Sequence, residues 1–140
     1  MGSLEKPPHD PVWPSVDIEL LKGLPPIHRA VVRALGVGRA GQFLSEFGGV
    51  SVHIPKLKPK AFGLDPDELD RLRIALAPHI DNETCKIDLP KPDKVFRQAR
   101  NMQIRKEREN ASIRTVARAY FLTSRQIKNI TREEDQMDLF

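Results

Sequence analysis

The chain has 140 residues, 39% of them hydrophobic, with one cysteine and a net charge of +4 from 23 basic and 19 acidic side chains. That length allows one domain or two small ones around a modest core. A lone cysteine excludes an internal disulfide and fits a reducing cytoplasm, and neither a membrane-length apolar run nor the basic-then-apolar layout of a secretion signal is present.

Residues 1–14 read as an extended arm: Leu4 to Pro14 hold four prolines, and Trp13 can dock on the body. Ser15 is the expected cap of a short helix, Val16 to Lys22, ended by Gly23. Leu24-Pro25-Pro26 is a break. A second helix, Ile27 to Leu35, places Ile27, Ala30, Val31, Ala34 and Leu35 inward. A third runs to Phe47, with Val37, Ala40, Leu44 and Phe47 on one stripe, and stops at Gly48-Gly49. Val50, Val52 and Ile54 then alternate with Ser51 and His53, which predicts a strand over about 50–54 that ends at Pro55.

Lys56 to Gly63 is a basic connection. Asp65-Pro66-Asp67-Glu68 is a helix start, with a cap, a proline at the first position and an acid three residues after the cap. Leu69, Leu72 and Leu76 form the inner face of that helix. Cys85 to Leu89 alternates again, predicting a second strand over about 85–89. VSVHIPK and CKIDLPK match in polarity at each position, 35 residues apart, and share a Pro-Lys end. Two such strands are expected to pair, within one chain or across a dimer, because a lone strand leaves its backbone groups unsatisfied. Residues 15–90 together read as a helical and strand region.

Residues 91–132 read as a three-helix domain. Asp93 caps its first helix, Lys94 to about Arg108, with Val95, Ala99 and Met102 as the expected buried stripe. Ser112 caps the second, whose apolar positions are Ile113, Val116, Ala117 and Tyr120. Thr123 with Gln126 fits a capping box for the third, and Leu122 with Ile127 fits the accompanying hydrophobic staple. Ile127 and Ile130 face inward, which leaves Ser124, Arg125, Gln126, Lys128 and Asn129 outside. That set mixes base-edge readers with phosphate binders, the pattern of a helix-turn-helix whose second helix enters a major groove of double-stranded DNA. Arg114, Arg118 and Arg132 are the expected backbone contacts. Lys91 to Arg132 hold 12 Lys/Arg against 3 Asp/Glu, a local net of +9, whereas residues 1–90 carry −1 and the last eight residues −4. A basic block confined to the recognition segment is the footprint of a nucleic-acid binder.

The order Phe47-Gly48-Gly49, alternating strand, Ile54-Pro55-Lys56, then Leu89-Pro90-Lys91 through Ile130, resembles the middle-operon-regulator (Mor) family of Mu-like phage transcription activators. The resemblance covers under half of the chain. It implies a dimeric activator in the bacterial cytoplasm that binds a promoter and contacts RNA polymerase, and it assigns dimerisation to residues 15–90. Lys56 to Pro90 stands as an insertion or duplication relative to that family. Phe121 occupies the turn position where such motifs place glycine, so an altered turn is expected there.

The acidic tail, 133–140, ends in Gln136-Met137-Asp138-Leu139-Phe140, which resembles the short motif by which bacterial replication and repair proteins bind the DNA polymerase sliding clamp. Either a flexible stem (Glu133-Glu134-Asp135) presents Leu139 and Phe140 to a clamp, or those side chains fold back onto the domain. His9, His28, His53 and His79 have no metal-ligand spacing with Cys85, and no phosphate loop or nucleophile motif is present, so no cofactor, metal or catalytic residue is expected. The rival readings are a replication or repair accessory that binds DNA and the clamp, and an adaptor or inhibitor whose helix-turn-helix binds protein.

Overall fold

The computed structural model describes residues 12–138, with side chains through Arg132. Among these residues the chain is mainly α. Its elements are α1 (Ile18–Lys22), α2 (Pro26–Leu35), α3 (Val37–Phe47), β1 (Ser51–His53), α4 (Pro66–Leu76), β2 (Lys86–Asp88), α5 (Lys94–Arg108), α6 (Ile113–Tyr120) and α7 (Ser124–Asp138). No described helix is long and apolar enough to cross a membrane.

The two strands pair with each other inside one chain. They run antiparallel, with Val52 opposite Ile87, and Leu89 N–H to Val50 O (3.1 Å) and Ile54 N–H to Cys85 O (2.8 Å) extend the ladder. One face of this ribbon closes on the core through Ile54, Ile87 and Leu89, while Val50 is 59% exposed. The alternation of Val50, Val52 and Ile54 therefore holds only at its C-terminal end. Gly48-Gly49 turns the chain from α3 into the ribbon. A Cβ at Gly48 would collide with the carbonyl oxygens of Leu44 and Pro90, so only glycine fits where α3 ends beside the second strand's exit.

The segment between the strands belongs to the core. The Asp65 capping box forms as the sequence predicts: Asp65 Oδ1 accepts from Glu68 N–H (2.8 Å), and Glu68 Oε1 accepts from Asp65 N–H (3.0 Å). The helix it starts buries Leu69, Leu72 and Leu76 completely, packed principally on α2. Arginines tie its outer side down: Arg71 Nε donates to Ala34 O (2.7 Å) and Arg73 Nε to Pro55 O (2.6 Å). The ring of Phe62 meets Phe43 and Phe47 at centroid distances of 5.5 and 5.0 Å.

Two expectations are corrected. The first helix starts at Ile18, capped by Asp17 rather than Ser15, because the Asp17 carboxylate accepts from Glu19 N–H (2.9 Å). Ile27 and Phe47 do pack against the core, though they are only half-buried. In α5, Val95 and Met102 are 42% and 66% exposed, and Phe96 and Ile104 fill the core instead. The aromatic side chain decides that helix's rotation: Phe96 lies against Gly41 and tilts on the His28 ring at 5.6 Å, a larger apolar burial than Val95 and Met102 can offer. His28 is structural. Its Nε2 hydrogen-bonds to Lys91 O (3.1 Å), joining α2 to the lead-in of α5.

One hydrophobic cluster runs from Leu24 to Ile130 and takes in both the N-terminal helices and the last three. The joint between them is α3 against α6, and it is built on Gly38. A Cβ there would fall on the carbonyl of Ala119 and lie 3.0 Å from Tyr120 Cα. Gly→Ala inside a helix ordinarily stabilises by about 0.5–1 kcal/mol. Gly38→Ala should reverse that sign and lower the urea midpoint, at a cost of about 1–3 kcal/mol, since two backbones must separate.

Candidate nucleic-acid interface

The last three helices form a helix-turn-helix with α5 across its back. Ser112 caps α6, its Oγ accepting from Thr115 N–H (3.1 Å), and Val116, Ala117 and Tyr120 are buried as the periodicity requires. The turn is a Schellman motif. Leu122 N–H reaches Ala117 O (3.0 Å), Phe121 N–H reaches Arg118 O (3.4 Å), and Phe121 sits in the left-handed region at φ 57°, ψ 40°. The altered turn expected at this position is thus corrected: the turn is regular, and a phenylalanine adopts the glycine conformation. Its ring lies 5.5 Å from the Arg39 guanidinium, a cation–π contact that helps to offset the backbone cost. Arg39 also donates to Glu68 Oε2 (3.2 Å) and Gly63 O (2.7 Å), so one side chain connects α3, the α4 capping box and the turn. Nothing in the spacing of the sequence marks Arg39 for this role.

The recognition-type helix α7 starts as the sequence predicts. Gln126 Oε1 accepts from Thr123 N–H (2.8 Å) and Thr123 Oγ1 from Gln126 N–H (3.1 Å). Ile127 and Ile130 are buried. At about 100° per residue, Ser124, Lys128, Arg132, Arg125 and Asn129 share one arc of about 140°, and all five are exposed. Gln126 lies outside that arc by about 60° on the same wheel, and its side-chain oxygen is taken by the cap. The cap takes only the amide oxygen of Gln126, whose side chain is otherwise exposed and keeps its Nε2 donors.

The arginines of this segment divide into two groups. Arg105 donates to Ile130 O (3.2 Å), Arg108 to Ala111 O (2.6 Å) and Arg97 to Pro92 O (3.3 Å), and Lys106 pairs with Asp17 (3.7 Å). These charges hold the connections at Pro92 and Ala111, the middle of α7 and the cap of α1. Arg114, Arg118, Arg125, Lys128 and Arg132 are exposed and have no hydrogen-bond or ion-pair partner among the described residues. They lie on α6 and α7, the two helices of the motif.

The acidic segment expected to be a flexible stem continues α7, whose backbone is helical through Asp138. Gln136, Met137 and Asp138 therefore start on a helix, and Leu139 and Phe140 lie outside the described residues.

The class defined here is a mainly α protein with a C-terminal helix-turn-helix seated on a helical and ribbon core. The chain matches no family model, no curated protein and no solved structure.

The Phe121 backbone can be tested apart from its ring. Phe121→Gly and Phe121→Ala both lose the Arg39 contact, but only the alanine keeps a Cβ in the left-handed region. The glycine variant should be the more stable by about 1 kcal/mol in chemical unfolding.

Proposed function

We propose that this protein binds duplex DNA through α6 and α7 and acts as a transcriptional regulator of the phage type, in a bacterial cytoplasm. One observation carries the reading. Of the cations between Lys91 and Arg132, the five on the two helices of the motif have no partner among the described residues, while Arg97, Arg105, Lys106 and Arg108 of α5 are committed to the chain's own carbonyls and to Asp17, and Lys91, Lys94 and Arg100 make no ion pair among the same residues. Five free cations on two adjacent helices suit a phosphate-binding face, because each one that neutralises a phosphate releases a condensed counterion.

The roles follow from position. Arg125 and Asn129, one turn apart, are placed to read base edges, Arg125 as a bidentate partner of guanine and Asn129 of adenine. Lys128 and Arg132 on the same arc, with Arg114 and Arg118 on α6, hold the phosphate backbone. Ser124, at the start of α7, contributes a hydroxyl near a helix N-terminus, where anions are favoured. A homodimer would bring two such helices to successive half-sites about 34–36 Å apart.

The test is fluorescence anisotropy on a random-sequence duplex across a salt series, followed by selection of a preferred site from a randomised pool. Affinity should fall steeply with salt, and Lys128→Ala should reduce the log–log slope by about one. Arg125→Ala should cost about 1–3 kcal/mol on the selected site and much less on random duplex. Salt-independent or absent duplex binding would overturn the reading in favour of a protein-binding adaptor.

A further inference from the structure

Beside the turn of the helix-turn-helix, where α3 and α5 converge, lies a cavity of about 290 Å³. It is small but close to the lower end of the range that holds small ligands, about 300–1,000 Å³. Its apolar wall is Tyr120, Phe121 and Leu122. Two charged side chains line it: Glu46 near the end of α3, and Arg100 in the middle of α5.

Neither charge is satisfied by the other or by any other described ionised group. Arg100 donates only to Oδ1 of Asn101, its neighbour in the chain, at 3.2 and 3.1 Å. Glu46 has no hydrogen-bond or ion-pair partner among the described residues. Half-buried Arg100 also stands apart among the described titratable groups. Burial, together with the positive charge of Arg97, pushes its guanidinium below the ordinary value. A charge carried at such a cost without a carboxylate differs from the paired Arg39 and Arg73 of the same protein.

We infer that this cavity binds a small apolar zwitterion of the α-amino-acid class, with its carboxylate on Arg100, its ammonium on Glu46 and its side chain against Tyr120, Phe121 and Leu122. The opposite charges stand too far apart to form an ion pair with each other, and they border one apolar wall. Two unpaired opposite charges beside one apolar wall are what a ligand carrying both charges at one end and a hydrocarbon at the other needs. Guanidinium and carboxylate meet through paired N–H donors, which fixes the ligand's orientation. Two of the three wall residues form the left-handed end of α6 and the lead into α7, so an occupied cavity stiffens the turn from which α7 projects. This regulatory consequence rests on the DNA-binding reading, whereas ligand binding itself does not.

Isothermal titration of the full chain with L-leucine, L-methionine and L-phenylalanine, without DNA, tests the inference. At least one should bind saturably. Arg100→Gln and Glu46→Gln should each weaken that binding about tenfold or more, and so should the ligand analogue lacking either its amino or its carboxylate group. The absence of saturable heat from all three up to about 10 mM would overturn the site. So would unchanged affinity in Glu46→Gln, an exposed position whose substitution leaves the core intact. An analogue without the amino group that binds as tightly as the amino acid would overturn the zwitterion class. Because the titration contains no DNA, failure of duplex binding elsewhere cannot produce any of these results.

Discussion

The approach of α3 to α6 is the constraint on which the rest depends. Gly38 lets the two backbones touch, and every neighbouring feature uses the resulting proximity. Arg39, the next residue, reaches the Phe121 ring because α3 lies that close. The cavity at Glu46 and Arg100 exists because α3 continues past the turn toward α5. With a side chain at residue 38 the two backbones must move apart and part of the α3–α6 packing is lost. Close helix contact gains dispersion and apolar burial only where no Cβ intervenes.

The second theme is the use of charge. A segment with a net +9 need not present +9 to a partner. Arg97 and Arg108 satisfy backbone carbonyls in connections, where orphan acceptors would otherwise face solvent or the core, and Arg105 reaches Ile130 O inside α7. The guanidinium suits this work because its several donors lie in a fixed plane. The same chemistry anchors α4, through Arg71 and Arg73 on Ala34 and Pro55. The exposed cations on α6 and α7 have no partner among the described residues. The length of α7 adds to the asymmetry, because its acidic end is placed on the same rod as its basic start, at the far end from the turn.

Much of this was legible in the sequence because its causes are local. The caps at Ser112, Thr123, Asp65 and Asp93 each need only a side chain and an amide two or three residues away. The inward faces of α4, α6 and the first half of α7 follow from a 3.6-residue repeat, and the ribbon from a two-residue alternation. Even the pairing of β1 with β2 followed from the need to satisfy backbone groups. The arc of Ser124, Arg125, Lys128, Asn129 and Arg132 was visible for the same reason, since Ile127 and Ile130 fix the opposite side.

What failed were decisions between competing apolar or polar residues, which only neighbours in space can settle. In α5 the pattern offered two faces, and the contact of Phe96 with Gly41 and His28 chose the one that excludes Met102. Phe121 argued against a regular turn until Arg39, 82 positions earlier in the chain, supplied a partner for its ring. The sequence by itself determined the elements, their caps and the basic surface, because these rest on interactions within a few residues. The tertiary structure decided which arginines remain free, how α3 seats the helix-turn-helix, and that Glu46 and Arg100 share one cavity, because each of these depends on groups that only folding brings together.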